Sequence, residues 1–180
     1  MHNFTAHIHT AMIYKIRITL DVENDVLREV IIADNVSLED LHNLIVNAFG
    51  FDGTEMASFY LTDGEWNQGE EIPLFDMSDE GNTTAMQHFT LSEVLNDTID
   101  KLIYVYDYFN MWTFYVELTN IIEEDTLIEA PAVLISKGNI PAEAPDKEFI
   151  GEKFEDDIED YDSLENFDDF NFDNFDDSMN

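Results

Sequence analysis

Three observations predict an α+β domain. Several short stretches alternate apolar and polar residues with the period of a strand, one stretch repeats with the period of a helix, and residues 102–120 are apolar or aromatic on both faces of an extended chain. In that last stretch Leu102, Tyr104, Tyr106 and Tyr108 share one face, with Ile103, Val105 and Asp107 opposite. After a tight connection, Trp112, Phe114, Val116 and Leu118 alternate with Thr113, Tyr115, Glu117 and Thr119. A hairpin that is apolar on both sides needs cover on both, which places it in the middle of a sheet.

Residues 1–11 read as a loose lead-in. His7 and His9 lie on one face of an extended segment, a spacing that suits a shared metal, but no third ligand is nearby and a solvated terminus is the simpler reading. From Ile13 the alternation of Tyr14, Ile16, Ile18 and Leu20 against Lys15, Arg17 and Thr19 predicts a half-buried strand. A turn over 21–25 leads to a second strand over 27–32, paired with the first as a hairpin; Arg17 and Arg28 are expected to pair with carboxylates at the surface. Ser37 and Asp40 have the capping-box spacing, and Leu38, Leu41, Leu44, Ile45, Ala48 and Phe49 recur at helical spacing up to Gly50, so this is the main helix. His42 sits at the edge of the apolar stripe and reads as a hydrogen-bonded rim histidine.

A third strand is expected over 56–62. Residues 63–89 then read as a long acidic loop with an apolar island at Ile72, Leu74 and Phe75. Thr90 and Glu93 repeat the capping-box spacing ahead of Leu91, Val94 and Leu95, predicting a second, short helix. The aromatic hairpin follows, and residues 131–136 make a last strand before Gly138. The domain is thereby placed at 12–147 and an acidic, aromatic tail, expected to be disordered, at 148–180.

Charge bounds the function. The chain of 180 residues carries 41 Asp and Glu against 7 Lys and Arg, a net charge of -34. Nucleic-acid binding works by neutralising phosphates with cations, so direct contact with DNA or RNA is not expected, nor is attraction to an anionic membrane. A basic protein remains open as a partner. The absence of cysteine excludes disulfides, thiolate metal sites and a cysteine nucleophile. No stretch approaches the roughly 20 apolar residues of a spanning helix, and the start lacks a secretory pattern, so a cytoplasmic protein is expected.

From residue 151 to the end, 13 acidic residues stand against one lysine, a local charge of -12 that leaves -22 for the rest. Aromatic rings punctuate this tail, most densely at Phe167, Phe170, Phe172 and Phe175. Three readings stand open: an inert solubilising tail, a short motif that binds a basic, apolar groove, and packing onto the chain's own domain.

Two motifs carry a family resemblance. The stretch SLEDLHNLIVNAFGF and the stretch YVYDYFNMW resemble, at the proper separation, the paired motifs of the plasmid pRiA4b Orf-three-like family. Asp40, Leu41, His42, Ile45, Ala48, Phe49 and Gly50 match the first, with Phe51 in place of the usual Trp; Tyr104, Tyr106, Asp107 and Trp112 match the second. The resemblance covers about Ile13 to Pro145. It implies an α+β fold, with a mixed, β-grasp-like sheet covering one main helix and one short helix, and a link to plasmids and other mobile elements. It does not imply a biochemical role. This chain departs from the family at Phe109-Asn110, where a Gly-Asp pair is usual, at Phe114, where a His is common, and at Glu55, which aligns with another His. The closing Pro-Pro-Glu-Asp signature survives only as Pro141-Ala142-Glu143 with Pro145-Asp146. Any site built from those polar groups is expected to be lost here.

Two classes of function follow. An enzyme would recruit His42, Glu55, Asp107 and Tyr106 beside the aromatic hairpin, but no phosphate-binding Gly loop, nucleophile elbow or zinc-binding helix motif is present, and Asp107 is more simply a strand-end carboxylate accepting backbone N–H groups. The preferred expectation is a non-enzymatic module, without cofactor or metal, that contacts a protein through acidic and aromatic surfaces. A sharper variant is an acidic mimic of DNA, and a third reading is a structural or accessory domain that is merely very soluble and has no specific partner.

Overall fold

In the computed structural model, which describes residues 11–78, 84–123 and 127–146, the alternating stretches form seven strands. They are β1 (Met12–Leu20), β2 (Leu27–Ala33), β3 (Ala57–Thr62), β4 (Gln68–Pro73), β5 (Lys101–Tyr106), β6 (Trp112–Glu123) and β7 (Ala132–Lys137). Helix α1 (Leu38–Phe49) joins β2 to β3, and the four-residue α2 (Leu91–Val94) precedes β5. The lead-in with His7 and His9, and the tail with Phe167, Phe170, Phe172 and Phe175, lie outside the described residues.

The strands lie in one sheet, in the order β4-β3-β5-β6-β1-β2-β7. The aromatic hairpin β5–β6 therefore occupies the middle, as its two apolar faces require. The expected mixed sheet is corrected: every pairing among the described strands is antiparallel. Three tight connections make hairpins, and the two long connections that carry helices, β2–α1–β3 and β4–α2–β5, each link strands that are not neighbours, so no crossover sets a parallel pair side by side. The expected acidic loop at 63–89 is also interrupted, because Gln68–Pro73 pairs with β3 as an edge strand whose residues are mostly exposed.

Helix α1 starts where its sequence says it should. The Ser37 hydroxyl accepts from the Asp40 N–H, the Asp40 carboxylate accepts from the Ser37 N–H at 2.8 Å, and Gly50 ends the helix at φ 78°, a left-handed conformation that a side chain would penalise. Crossing from β2 to β3, it lies over β1, β6 and β5, and its Leu38, Leu41, Ile45, Val46 and Phe49 enter one core with Ile16, Ile18, Phe59, Tyr104, Phe114 and Val116. Among the described residues no helix covers the other face. Ile103 and Val105 are nonetheless buried there, and Trp66 packs edge-on to Tyr115 with ring centroids 5.0 Å apart.

Arg17 pairs with Glu29 at 2.9 Å, as expected of a surface arginine. Arg28 does not. It points to the helix side, is almost wholly buried, and donates to the carbonyl oxygens of Ala48, Leu27, Lys137 and Gly138 while its guanidinium lies 4.7 Å from the centre of the Phe49 ring. Strand β2 has five consecutive buried residues, so its side chains are enclosed on both faces and a surface position was not open to Arg28. One cation thus joins β2, the negative C-terminal end of α1 and the end of β7. Gly138 completes the junction, because a Cβ there would run into the Asp25 carbonyl oxygen.

Replacing Arg28 by Met should cost about 3 kcal/mol, since the removed donors leave buried carbonyls without partners. Urea unfolding should show a lower midpoint at unchanged slope. Arg28→Lys should recover less than half of the loss, because one ammonium group cannot span three elements.

Candidate functional site

The two sequence motifs meet where α1 faces the hairpin. His42 is buried at 3% exposure, not at the rim, because α1 sits directly over the tyrosines of β5. Its Nδ1 lies 2.8 Å from the Tyr104 hydroxyl, and its ring centroid lies 6.5 Å from that of Tyr106. Burial lowers the His42 pKa to about 4, so the ring is neutral at physiological pH; burial likewise raises the Tyr104 pKa, so its hydroxyl keeps its proton. Phe49 meets Phe114 edge-on at 4.8 Å, and Phe51, just past the Gly50 cap, touches both Tyr106 and Trp112. Phe114, at the position of the missing histidine, is wholly buried core.

The four residues an enzyme would recruit are not gathered. His42 and Tyr106 are neighbours, but Glu55 offers Tyr106 only its backbone N–H, at 3.4 Å, and the Asp107 carboxylate is engaged elsewhere. Asp107 is the strand-end acid its position suggested. Its Oδ1 accepts from the N–H groups of Phe109 and Asn110, its Oδ2 accepts from the Asn110 amide at 2.6 Å, and its carbonyl accepts from the Met111 N–H. Asp107 and Met111 both take positive φ, 60° and 55°, an arrangement these bonds must hold against the steric preference of their side chains.

The turn so held projects from the end of the sheet where β3 begins, and there the sequence reading missed a surface. Phe109 is 94% exposed at its tip, flanked by part-exposed Tyr108 and Met111. The segment after β4 reaches the same end, because the Leu74 N–H donates to the Ala57 carbonyl beside the point where the Asp107 N–H donates to Met56. It adds exposed Phe75 and Met77, whereas Ile72 and Leu74 of the same apolar island are buried. Carboxylates share this end of the sheet. Asp52 accepts from the Tyr106 hydroxyl at 3.0 Å, Glu71 accepts from Ser58 at 2.6 Å and from Tyr108, and Asp76 lies between Phe75 and Met77 in the chain. The local signals in the sequence were a phenylalanine inside a turn and the apolar island that holds Phe75.

Cations tell the complementary story. Lys15 and Arg17 both pair with Glu29, whose pKa is lowered first by the Lys15 hydrogen bond and then by that of Arg17. Lys101 donates to the Gly64 carbonyl at 3.0 Å and lies over the Trp66 ring, Lys137 pairs with Asp25, and Arg28 is internal. Every cation among the described residues is therefore engaged within the domain. Among those residues there is also no cluster of three metal-ligating side chains, and no helix is long and apolar enough to cross a membrane.

The family profile described as plasmid pRiA4b ORF-3-like protein matches residues 12–177. The chain belongs to this family. The match runs past Pro145, where the motif resemblance ended, into the acidic stretch. A crystal structure of a protein of unknown function from Methanosarcina mazei Go1 superposes on it with a TM-score of 0.64 at 18% sequence identity, covering 73% of this chain and 74% of the other. At that identity the likeness is one of fold. No curated protein matches the chain.

Two outcomes test this geometry. The folded pKa of His42, about 4, lies below the unfolded value of 6.5, so the unfolded chain takes up the proton first. The stability of the neutral buried ring is complete above pH 6.5 and falls as the pH drops towards 4, by about 3 kcal/mol. That loss should appear as the difference between wild-type and His42→Gln unfolding curves over this range. At the hairpin tip, Asp107→Ala should cost about 2 kcal/mol, through lost turn hydrogen bonds and a left-handed alanine, and Asp107→Asn should cost less. Thermal unfolding reads both.

Proposed function

We propose that this protein is a non-enzymatic interaction module of the cytoplasm, linked to a mobile element, whose acidic and aromatic surface contacts a basic protein. One observation carries the reading: every cation of the described domain is bonded to a carboxylate or a carbonyl of the domain itself, and the outward charge left over is that of carboxylates. Binding a phosphate backbone requires cations free to displace counterions, so direct nucleic-acid contact is disfavoured. A surface of this sign accelerates encounter with a basic partner, and the attraction decays over a Debye length of about 8 Å at physiological salt.

Affinity capture from lysate of the source cells, with the full chain and with one ending at Ile150, should retain a basic protein that is released as salt rises. Capture dependent on the tail would assign the contact to residues beyond 150; capture by both chains would assign it to the domain. A chain that retains no specific partner at moderate salt would overturn the reading in favour of a solubility-adapted accessory domain.

A second reading, in which carboxylates imitate phosphates and occupy a DNA-binding protein, is favoured by the way Asp52, Asp63 and Asp76 are held. Each accepts hydrogen bonds within its own turn, from Thr54, Asn67 and Ser78 respectively, and these bonds keep its pKa below the ordinary value. Mimicry requires charges fixed in place, and these are. Duplex DNA should then displace the captured partner; if it does not, mimicry is wrong while the interaction reading stands.

A further inference from the structure

We propose that the β5–β6 turn is the domain's docking anchor, with Phe109 inserting into an apolar pocket of the partner whose rim carries Lys or Arg. The inference rests on the interaction reading above and deepens it by naming the surface. Phe75, Met77, Tyr108, Phe109 and Met111 are five of the large apolar side chains left exposed in the described domain, and two separate segments bring them to one end of the sheet. Scattered exposed apolar residues need no explanation, but a gathered patch marks a contact surface.

The tip is built to present its ring. A phenylalanine that is 94% exposed gains nothing from folding, yet the turn beneath it is fixed by the Asp107 carboxylate, by the Met111 N–H on the Asp107 carbonyl, and by two left-handed side-chain-bearing residues. Tyr108 is held beside it by its hydroxyl contacts with Ser58 and Glu71. A turn already ordered loses little freedom when it docks, so the burial of the ring goes into affinity.

Charge selects the occupant. Glu71 accepts from the Tyr108 hydroxyl within the patch, Asp52 accepts from Tyr106 where the turn begins, and Asp76 lies between Phe75 and Met77 in the chain, so a second copy docking tip to tip would set acid against acid, and an anionic membrane would be repelled for the same reason. A separate protein with a basic rim around an apolar pocket satisfies both the ring and its border.

The test uses the full chain with the photoreactive p-benzoylphenylalanine in place of Phe109, irradiated in lysate of the source cells, and a second full chain carrying the same probe at Glu65, in the turn at the opposite end of the sheet. The expected result is a protein cross-linked from position 109 through an apolar segment flanked by Lys or Arg. Unlabelled wild-type protein should block that cross-link, and Phe109→Ser protein should block it at least about thirtyfold less well. Phe109 is exposed, so the serine variant should keep the wild-type melting curve. Equal competition by Phe109→Ser, or a cross-link from Glu65 but none from 109, overturns the anchor and leaves the interaction reading intact. A cross-link from 109 to a second copy or to lipid overturns the choice of partner. No cross-link from either position overturns both.

Discussion

The crossing of α1 from β2 to β3 is the constraint on which the rest of the domain depends. Three strands lie between those two, so the helix must travel over β1, β6 and β5, and only the apolar stripe it shares with them makes that path favourable. A helix of 12 residues is about 18 Å long, which spans about four strands at the usual spacing of about 4.8 Å. Seven strands are wider than that. The outermost strands therefore project beyond its cover and manage their own edges, β4 with exposed Glu70 and Glu71, and β7 with Pro131 at its start and a bulge opposite Glu29 and Val30.

How much of this could be read from the sequence depended on whether the deciding forces were local. The caps of α1, the glycine that ends it, the alternation of β1 and the doubly apolar hairpin are all set by neighbours within a few residues, and each element stands where its pattern put it. Strand β4 was not legible, because Gln68, Gly69, Glu70 and Glu71 carry no strand propensity and are held by pairing with a strand ahead of them in the chain. Antiparallel pairing throughout was hidden for a related reason: strand order is fixed by which connections cross the sheet, and no single stretch encodes that. His42 and Arg28 were placed too near the surface, since a polar side chain in an amphipathic pattern gives no sign of whether the structure will supply it with partners.

Of the motif residues, His42, Phe49, Gly50, Tyr104, Tyr106 and Trp112 are accounted for by packing, capping and buried hydrogen bonds, and Asp107 by its turn. What the motifs hold together is the seat of the helix on the hairpin. The hairpin's outward product is a turn whose tip is free of that duty. The acidic character divides in the same way, with Glu29 and Asp25 absorbing cations, and the carboxylates around the tip left facing solvent. A net charge of -34 strains any compact state by self-repulsion, and the pairing of Lys15, Arg17 and Lys137 with carboxylates relieves part of it.

The Arg28 junction has a consequence for how the domain comes apart. An edge strand of six exposed or part-exposed residues would ordinarily fray independently of the core. Here the last carbonyls of β7 share one guanidinium with the last turn of α1, so releasing the strand leaves the buried Arg28 of β2 without two of its four acceptors. Opening this margin of the sheet therefore carries the cost of an under-bonded buried cation in addition to the strand's own contacts.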